Sequence, residues 1–185
     1  RSFQELNLPA DTHQKLSTNT RGMILFTGIT GAGKTTSLSA MIDHINHTCS
    51  YNIITIEDPV EYYHEDSKSS IAQREVGHDT ASFSVSVKHI LRQDPDVVVL
   101  GEMRDAEAIR AGVTAAETGH LVLGTVHTMD AAQTMGRLLE SYDNNEQVGA
   151  RTVGQVALEL GRVAVRVEEA DGRVAEAVVR LEHEA

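Results

Sequence analysis

The sequence predicts an α/β fold, a mainly parallel sheet flanked by helices with a β-hairpin at its C-terminal end. Three observations carry this expectation. Short apolar, β-branched runs alternate along the chain with segments of helical period. One of the runs, in Asp96–Leu100 ("DVVVL"), is apolar without interruption, as a strand covered on both faces should be. A glycine-rich stretch, Gly28–Thr36 ("GITGAGKTT"), lies between the first run and the first strongly periodic helix.

In chain order, Met23–Thr27 ("MILFT") is the first strand. Lys34–His47 places Leu38, Met41, Ile42 and Ile45 on one stripe at i, i+3, i+4 and i+7, which predicts a helix. Asn52–Ile56 ("NIITI") is a strand, and Ile71–Val76 is a further short one. Phe83, Val87, Ile90 and Leu91 share a helical face that Asp94-Pro95 brings to an end. After "DVVVL", Asp105 caps a helix carrying Ile109, Val113 and Ala116, and Gly119 terminates it. His120–Val126 ("HLVLGTV") is the next strand, and Asp130 is expected to cap a helix with Ala131, Met135 and Leu138 on one side. A helix over Glu146 to Leu160 is weakened by Gly149 and Gly154, each costing about 1 kcal/mol against Ala. From Arg162 to Leu181, alternation about Asp171-Gly172 reads as a β-hairpin, expected as an antiparallel addition to the sheet.

Composition narrows the function classes. The 185 residues carry a formal net charge of −11, 4% aromatic residues and no Trp. An acidic chain without stacking platforms is poorly suited to nucleic acid, so no such partner is expected. Cys49 is the single cysteine, which removes internal disulfides and cysteine zinc clusters and fits a reducing compartment. No apolar run is long enough to span a bilayer, and the first residues hold no signal-peptide stretch.

Gly28-x-x-x-x-Gly33-Lys34-Thr35 matches the phosphate-binding loop pattern, in its required place after a strand and before a helix. Glycines let backbone N–H groups curl around an anion, and the following helix turns its positive end toward the same phosphates. The alternative, a glycine-rich turn that binds nothing, leaves both the spacing and the context unexplained. A dinucleotide fingerprint is excluded, because Thr36 stands where its third glycine belongs. The reading assigns ATP to Gly28, Thr30, Gly31, Ala32, Gly33, Lys34, Thr35 and Thr36. Lys34 reaches the β- and γ-phosphates, and the Thr35 hydroxyl sits on Mg²⁺.

The residues immediately after the apolar runs extend the expectation. Glu57-Asp58 come after "NIITI", Gly101-Glu102 after "DVVVL" and His127 after "HLVLGTV". In an open parallel sheet the ligand sits beyond the carboxyl ends of the strands, so these residues are expected to converge on the nucleotide. Glu102, Glu57 and His127 are the catalytic candidates, and Thr35, Glu57 and Glu102 the metal candidates. Each has a plainer alternative: Glu57-Asp58 as a turn before Pro59, Glu102 as a solvated carboxylate, His127 as a structural histidine. His120 lies at the opposite end and face of the same strand, so the two histidines are not read as a metal pair. His44 and His47 are read as surface residues. Gly101 occupies the place where most phosphate-loop enzymes carry a metal-holding aspartate.

The stretches "GITGAGKTTSLSAMIDHIN", "IITIEDPVEYYHE", "QREVGHDT", "LRQDPDVVVLGEMRD" and "AAETGHLVLGTVHTMDAAQT" closely resemble the PilT family of type IV pilus retraction ATPases, within the type II/IV secretion ATPase superfamily. The likeness runs from about Arg21 to Leu139 and fades beyond it. It implies a P-loop NTPase with a RecA-like core. It further implies a hexameric, Mg-ATP-driven ring on the cytoplasmic side of the inner membrane. That ring would act on an inner-membrane pilus platform protein to disassemble pilin. Gly28–Thr36 then corresponds to the Walker A loop, Glu57–Glu65 to the acidic box, Leu100–Asp105 to Walker B with Glu102 as catalytic glutamate, and Thr118–Ala131 to the histidine box. The family's own Walker B reads Gly-Glu, which accounts for Gly101. Ala32 replaces the usual serine of the loop and Ile29 a common proline. On this resemblance residues 1–20 form an N-terminal linker segment, 21–140 the P-loop ATPase core and 141–185 a helix and hairpin that complete it. The family's N-terminal domain, which supplies arginines to the site, is not in this sequence, so weak turnover is expected of the chain alone. Two other readings are the pilus-assembly or type II secretion branch, against which the absent cysteine zinc module counts, and a nucleotide-binding module with little turnover.

Overall fold

The computed structural model describes residues 2–128, 133, 134 and 136–138, together with the backbone of 163–168 and 174–179. Its elements are α1 (Ala10–Ser17), β1 (Gly22–Gly28), α2 (Lys34–Thr48), β2 (Asn52–Glu57), β3 (Ser70–Glu75), α3 (Phe83–Ile90), β4 (Val97–Leu100), α4 (Ala106–Glu117), β5 (Leu121–Val126), β6 (Val163–Glu168) and β7 (Val174–Val179). The strands form one sheet in the order β3-β2-β4-β5-β1-β6-β7. Every neighbouring pair is parallel except β6 with β7. The hairpin is therefore not wholly an antiparallel addition: β6 extends the parallel sheet beside β1, and only β7 runs against it.

The period of two along each central strand divides the core into two layers. Met23, Leu25, Ile54, Ile56, Val98, Leu100 and Val122 meet α3 and α4 on one face. Ile24, Phe26, Ile53, Val97, Val99, Leu121 and Leu123 meet α2 on the other through Leu38, Met41, Ile42 and Ile45. Residues of β4 are 0% exposed on both faces, the burial that the uninterrupted apolar run calls for. Asp105 caps α4 as expected, its carboxylate accepting the Ala108 N–H at 2.7 Å. Ser82 caps α3 by the same device, and Gly119 leaves α4 with φ +101°. Gln133, Thr134 and 136–138 are helical, with Leu138 in the core. The Asp130 cap, the helix over 146–160 and the Asp171-Gly172 turn lie outside the described residues.

The first twenty residues are more than a linker. They hold α1, and Phe3 is 3% exposed in the layer built on α2. The Phe3 ring lies 5.0 Å from the rings of both His13 and His44, tilted 43° to each. His44, read from the sequence as a surface residue, is half-buried under this cover, whereas its neighbour His47 is exposed. Burial pushes the His44 imidazole below the ordinary histidine range, against the opposing pull of the Asp43 carboxylate.

Unfolded chain takes up the His44 proton as pH falls through about 6.5, while the folded protein resists it to lower pH. The contribution of the neutral, packed imidazole is thus complete above that value and is lost progressively below it. Thermal midpoints measured between about pH 7 and pH 5 are expected to fall, and His44→Phe to flatten the fall. Equal slopes for parent and variant would remove His44 from the account.

Candidate active site

Gly31 and Gly33 adopt φ of +82° and +99°, where a side chain would strain the backbone. That geometry turns the chain sharply from β1 into α2. Gly33 precedes α2 without any side-chain cap, so the first-turn N–H groups remain to bind an anion at the positive end of a 15-residue helix. Lys34 opens the helix and is only 7% exposed. Its ammonium donates to the carbonyls of Gly28 at 3.0 Å and Ile29 at 2.9 Å, and lies 3.4 Å from His127 Nδ1. The cation is thereby held at the centre of the loop rather than reaching into solvent.

Parallel register carries the other groups to the same edge. Ile56 pairs with Leu100, and Leu100 with Gly124, so Glu57, Gly101 and Thr125 lie side by side. Backbone bonds continue the pairing past the strands: Gly101 N–H to Ile56 O at 2.9 Å and Met103 N–H to Thr125 O at 2.9 Å. The Thr125 hydroxyl donates to the Gly101 carbonyl at 2.6 Å. Glu102 then receives His127 Nε2 on Oε1 at 2.7 Å and Arg104 Nε on Oε2 at 2.7 Å. Arg104 also reaches Asp58 Oδ2 at 3.5 Å. The hydrogen bond to Glu102 raises the already high Arg104 pKa. Lys34, His127, Glu102, Arg104 and Asp58 thus form one continuous polar chain across the site.

A cleft of about 600 Å³ opens on this chain. Its walls include Thr30, Gly31, Gly33, Lys34, Thr35 and Thr36 from the loop, and Glu57, Glu102 and His127 from the strand ends. Gly28 and Ala32 complete the loop itself. The structure therefore brings the predicted loop, both glutamates and His127 to one cavity. His120 lies elsewhere, bonded to Ala115 O at 3.0 Å at the end of α4. Among the described residues no cluster of three or more His, Cys, Asp or Glu forms a metal cage. The predicted metal candidates Thr35, Glu57 and Glu102 line the cleft and offer a hydroxyl and two carboxylates, hard oxygens of the kind Mg²⁺ takes alongside substrate phosphates and water.

Four residues at the site escaped the sequence reading. Arg104 and Thr125 engage Glu102 and Gly101, Tyr62 places its hydroxyl 3.5 Å from Thr36 Oγ1, and Gln73 donates to Glu57 Oε1 at 3.1 Å. All four lie in the stretches quoted for the resemblance, but no local pattern singled any of them out. His64, on the Tyr62 loop, has its pKa lowered by burial. Gly101 has a steric reason: a Cβ there would lie 3.1 Å from Glu57 Cγ and 3.3 Å from Glu57 Cα.

Sheet and cleft together define a P-loop nucleotide-binding core of the α/β class, with acidic groups and a histidine at the carboxyl edge of parallel strands. The family model described as "Type II/IV secretion system protein" matches residues 2–163, and the chain belongs to that family. It is 45% identical over 152 residues to the type IV pilus retraction ATPase PilT of Pseudomonas aeruginosa, covering 82% of this chain and 44% of that protein. It is 44% identical over 176 residues to a twitching motility protein of Neisseria gonorrhoeae, covering 94% of this chain and 47% of that protein. The chain spans about half the length of these relatives. A crystal structure of the pilus retraction motor PilT with bound ADP superposes with a TM-score of 0.81 at 39% identity, over 100% of this chain and 54% of that one. The RecA-like P-loop fold is that of these ATPases. No helix among the described residues is long and apolar enough to cross a membrane.

The contact between Gly101 and Glu57 is testable by itself. Gly101→Ala is expected to cost roughly 1–3 kcal/mol through overpacking, since one of the opposing atoms is backbone. A urea titration measures it, and an unchanged midpoint would show that the approach tolerates a methyl group.

Proposed function

We propose that this chain is the ATP-hydrolysing motor core of a pilus retraction ATPase. In this reading it binds ATP and Mg²⁺ and works in a hexameric ring on the cytoplasmic side of the inner membrane. There it acts on a pilus platform protein and drives pilin disassembly, as in twitching motility. The observation that carries the reading is the polar chain from Lys34 through His127 to Glu102, lying in one cleft with a glycine-rich loop. The likeness to a retraction motor that holds ADP supports it.

The chemistry derives from these positions. Lys34 and the first-turn N–H groups of α2 take the β- and γ-phosphates. Thr35, Glu57 and Glu102 would hold Mg²⁺, which would supply positive charge to neutralise the phosphate oxygens. Glu102 orients a water and accepts its proton. The water oxygen bonds to the γ-phosphorus as the bond from that phosphorus to the β–γ bridging oxygen breaks, and ADP is the leaving group. His127 sits between Lys34 and Glu102. A γ-phosphate that draws its ring from Glu102 releases the carboxylate to the water.

A second reading, a nucleotide-binding module with little turnover, is favoured by one observation: both Glu102 oxygens are engaged, by His127 and by Arg104. Phosphate release separates the two. With Mg-ATP the parent is expected to exceed Glu102→Gln by on the order of a hundredfold or more, the scale of a general base. ADP affinity should survive that substitution. Matching rates for parent and variant would leave only the binding module. For the loop, Lys34→Ala is expected to abolish detectable nucleotide binding in calorimetry. Retained affinity would take the phosphates away from Gly28–Thr36.

A further inference from the structure

The stretch "QREVGHDT" carries family resemblance but has no part in the chemistry above. Its first residue, Gln73, lies on β3 at the sheet edge, paired across to Thr55 of β2. Both side chains donate to the same atom: Thr55 Oγ1 at 2.7 Å and Gln73 Nε2 at 3.1 Å meet Glu57 Oε1. Oε2 carries neither bond and is the oxygen left for a cation. The amide orientation of Gln73 is set by its other partners. Its Nε2 donates to the Tyr62 carbonyl at 2.8 Å, and its Oε1 accepts the His64 N–H at 2.8 Å. A reversed amide would face a carboxylate and a carbonyl with an acceptor.

Glu75 lies two residues on, pointing to the same side of the strand. Its carboxylate accepts the Val60 N–H at 3.0 Å. Gln73 and Glu75 thus clip residues 60–64 onto β3, and Tyr62 of that loop touches Thr36 at the end of the phosphate loop. One amide therefore joins three things: the acidic side chain, the loop above it and, through Tyr62, the start of α2.

We infer that Gln73 is a positioning residue: it fixes the rotamer of Glu57 so that Oε2 faces the Mg²⁺ of a bound nucleotide, and it makes that orientation depend on the seating of the 60–64 loop. The inference rests on the nucleotide reading of the cleft. A plain structural brace would need only the loop bonds. An orienting role needs the donor to Glu57.

Two substitutions separate these. Gln73→Glu keeps an acceptor for the His64 N–H, loses both Nε2 donations, to Glu57 and to the Tyr62 carbonyl, and sets an anion against Glu57. Gln73→Met removes every bond at similar length. The measurement is Mg²⁺ titration of the full chain with a fluorescent ADP analogue bound, beside Glu57→Gln and thermal midpoints of all variants. The parent and both Gln73 variants are expected to bind the analogue equally without metal. The Mg²⁺ midpoint is expected to rise about ten- to a hundredfold in both Gln73 variants, the usual effect of losing a partner that orients a metal-binding carboxylate. Glu57→Gln should shift it at least as far. If Gln73→Glu keeps the parental midpoint, Gln73 only braces the loop and the inference falls. It falls too if Glu57→Gln leaves the midpoint unmoved. Should Gln73→Met fail to fold, Gln73→Glu alone decides. A parent that binds Mg-ADP and shows these shifts but releases no phosphate overturns the hydrolysis reading and leaves this inference standing. A parent that binds no nucleotide overturns both.

Discussion

Parallel pairing is the constraint on which the site depends. When strands run the same way, their carboxyl ends arrive at one border of the sheet, whatever the order in which the chain makes them. Here β1, β2, β4 and β5 run parallel, and their register ends Gly28, Glu57, Gly101 and His127 within reach of one cavity. A slip of one residue in any of these pairings would exchange the faces of that strand and move its terminal group away. The two-faced apolar layers prevent the slip: each of Ile24, Leu25, Ile53 and Ile54 has a layer of its own to fill. Core packing and site geometry are therefore one arrangement seen from two ends.

The helix α2 ties the border to the rest of the molecule. Its first turn lines the cleft, its buried stripe fills one core layer, and its outer surface receives Phe3. Lys34 is stabilised at the helix start by two loop carbonyls, so the loop closes on its own cation. On the opposite side of the cleft, Arg104 and His127 hold Glu102 between them. The site thus joins a buried cation, Lys34, to a glutamate whose two partners, Arg104 and His127, remain partly exposed.

Much of this was legible from residue order, for a physical reason. Strand runs, the helix stripes of α2 and α4, the Asp105 cap and the glycine loop are all local patterns, and the structure shows each of them. Glu57, Glu102 and His127 could be placed at one border because the alternation of strand and helix dictates parallel strands. What local pattern could not show was contact between distant segments. Residues 1–20 read as a linker because α1 is short and polar, and only docking of Phe3 onto α2 gives the segment a buried anchor. His44 looked exposed for the same reason: its cover comes from a remote part of the chain. The pairing of β6 with β1 depends on a crossover, not on the alternation inside the hairpin. Gln73 lay in a resembling stretch but no local pattern gave it a role, since an edge-strand amide gains one only when the 60–64 loop folds down upon it.

The narrow gap between Gly101 and Glu57 couples the ends of two strands. Bulk added after β4 would press on the backbone and side chain of the glutamate that closes β2, so a change at one strand end would be felt at the other. The bare glycine thus leaves the acidic side chain beside it undisturbed.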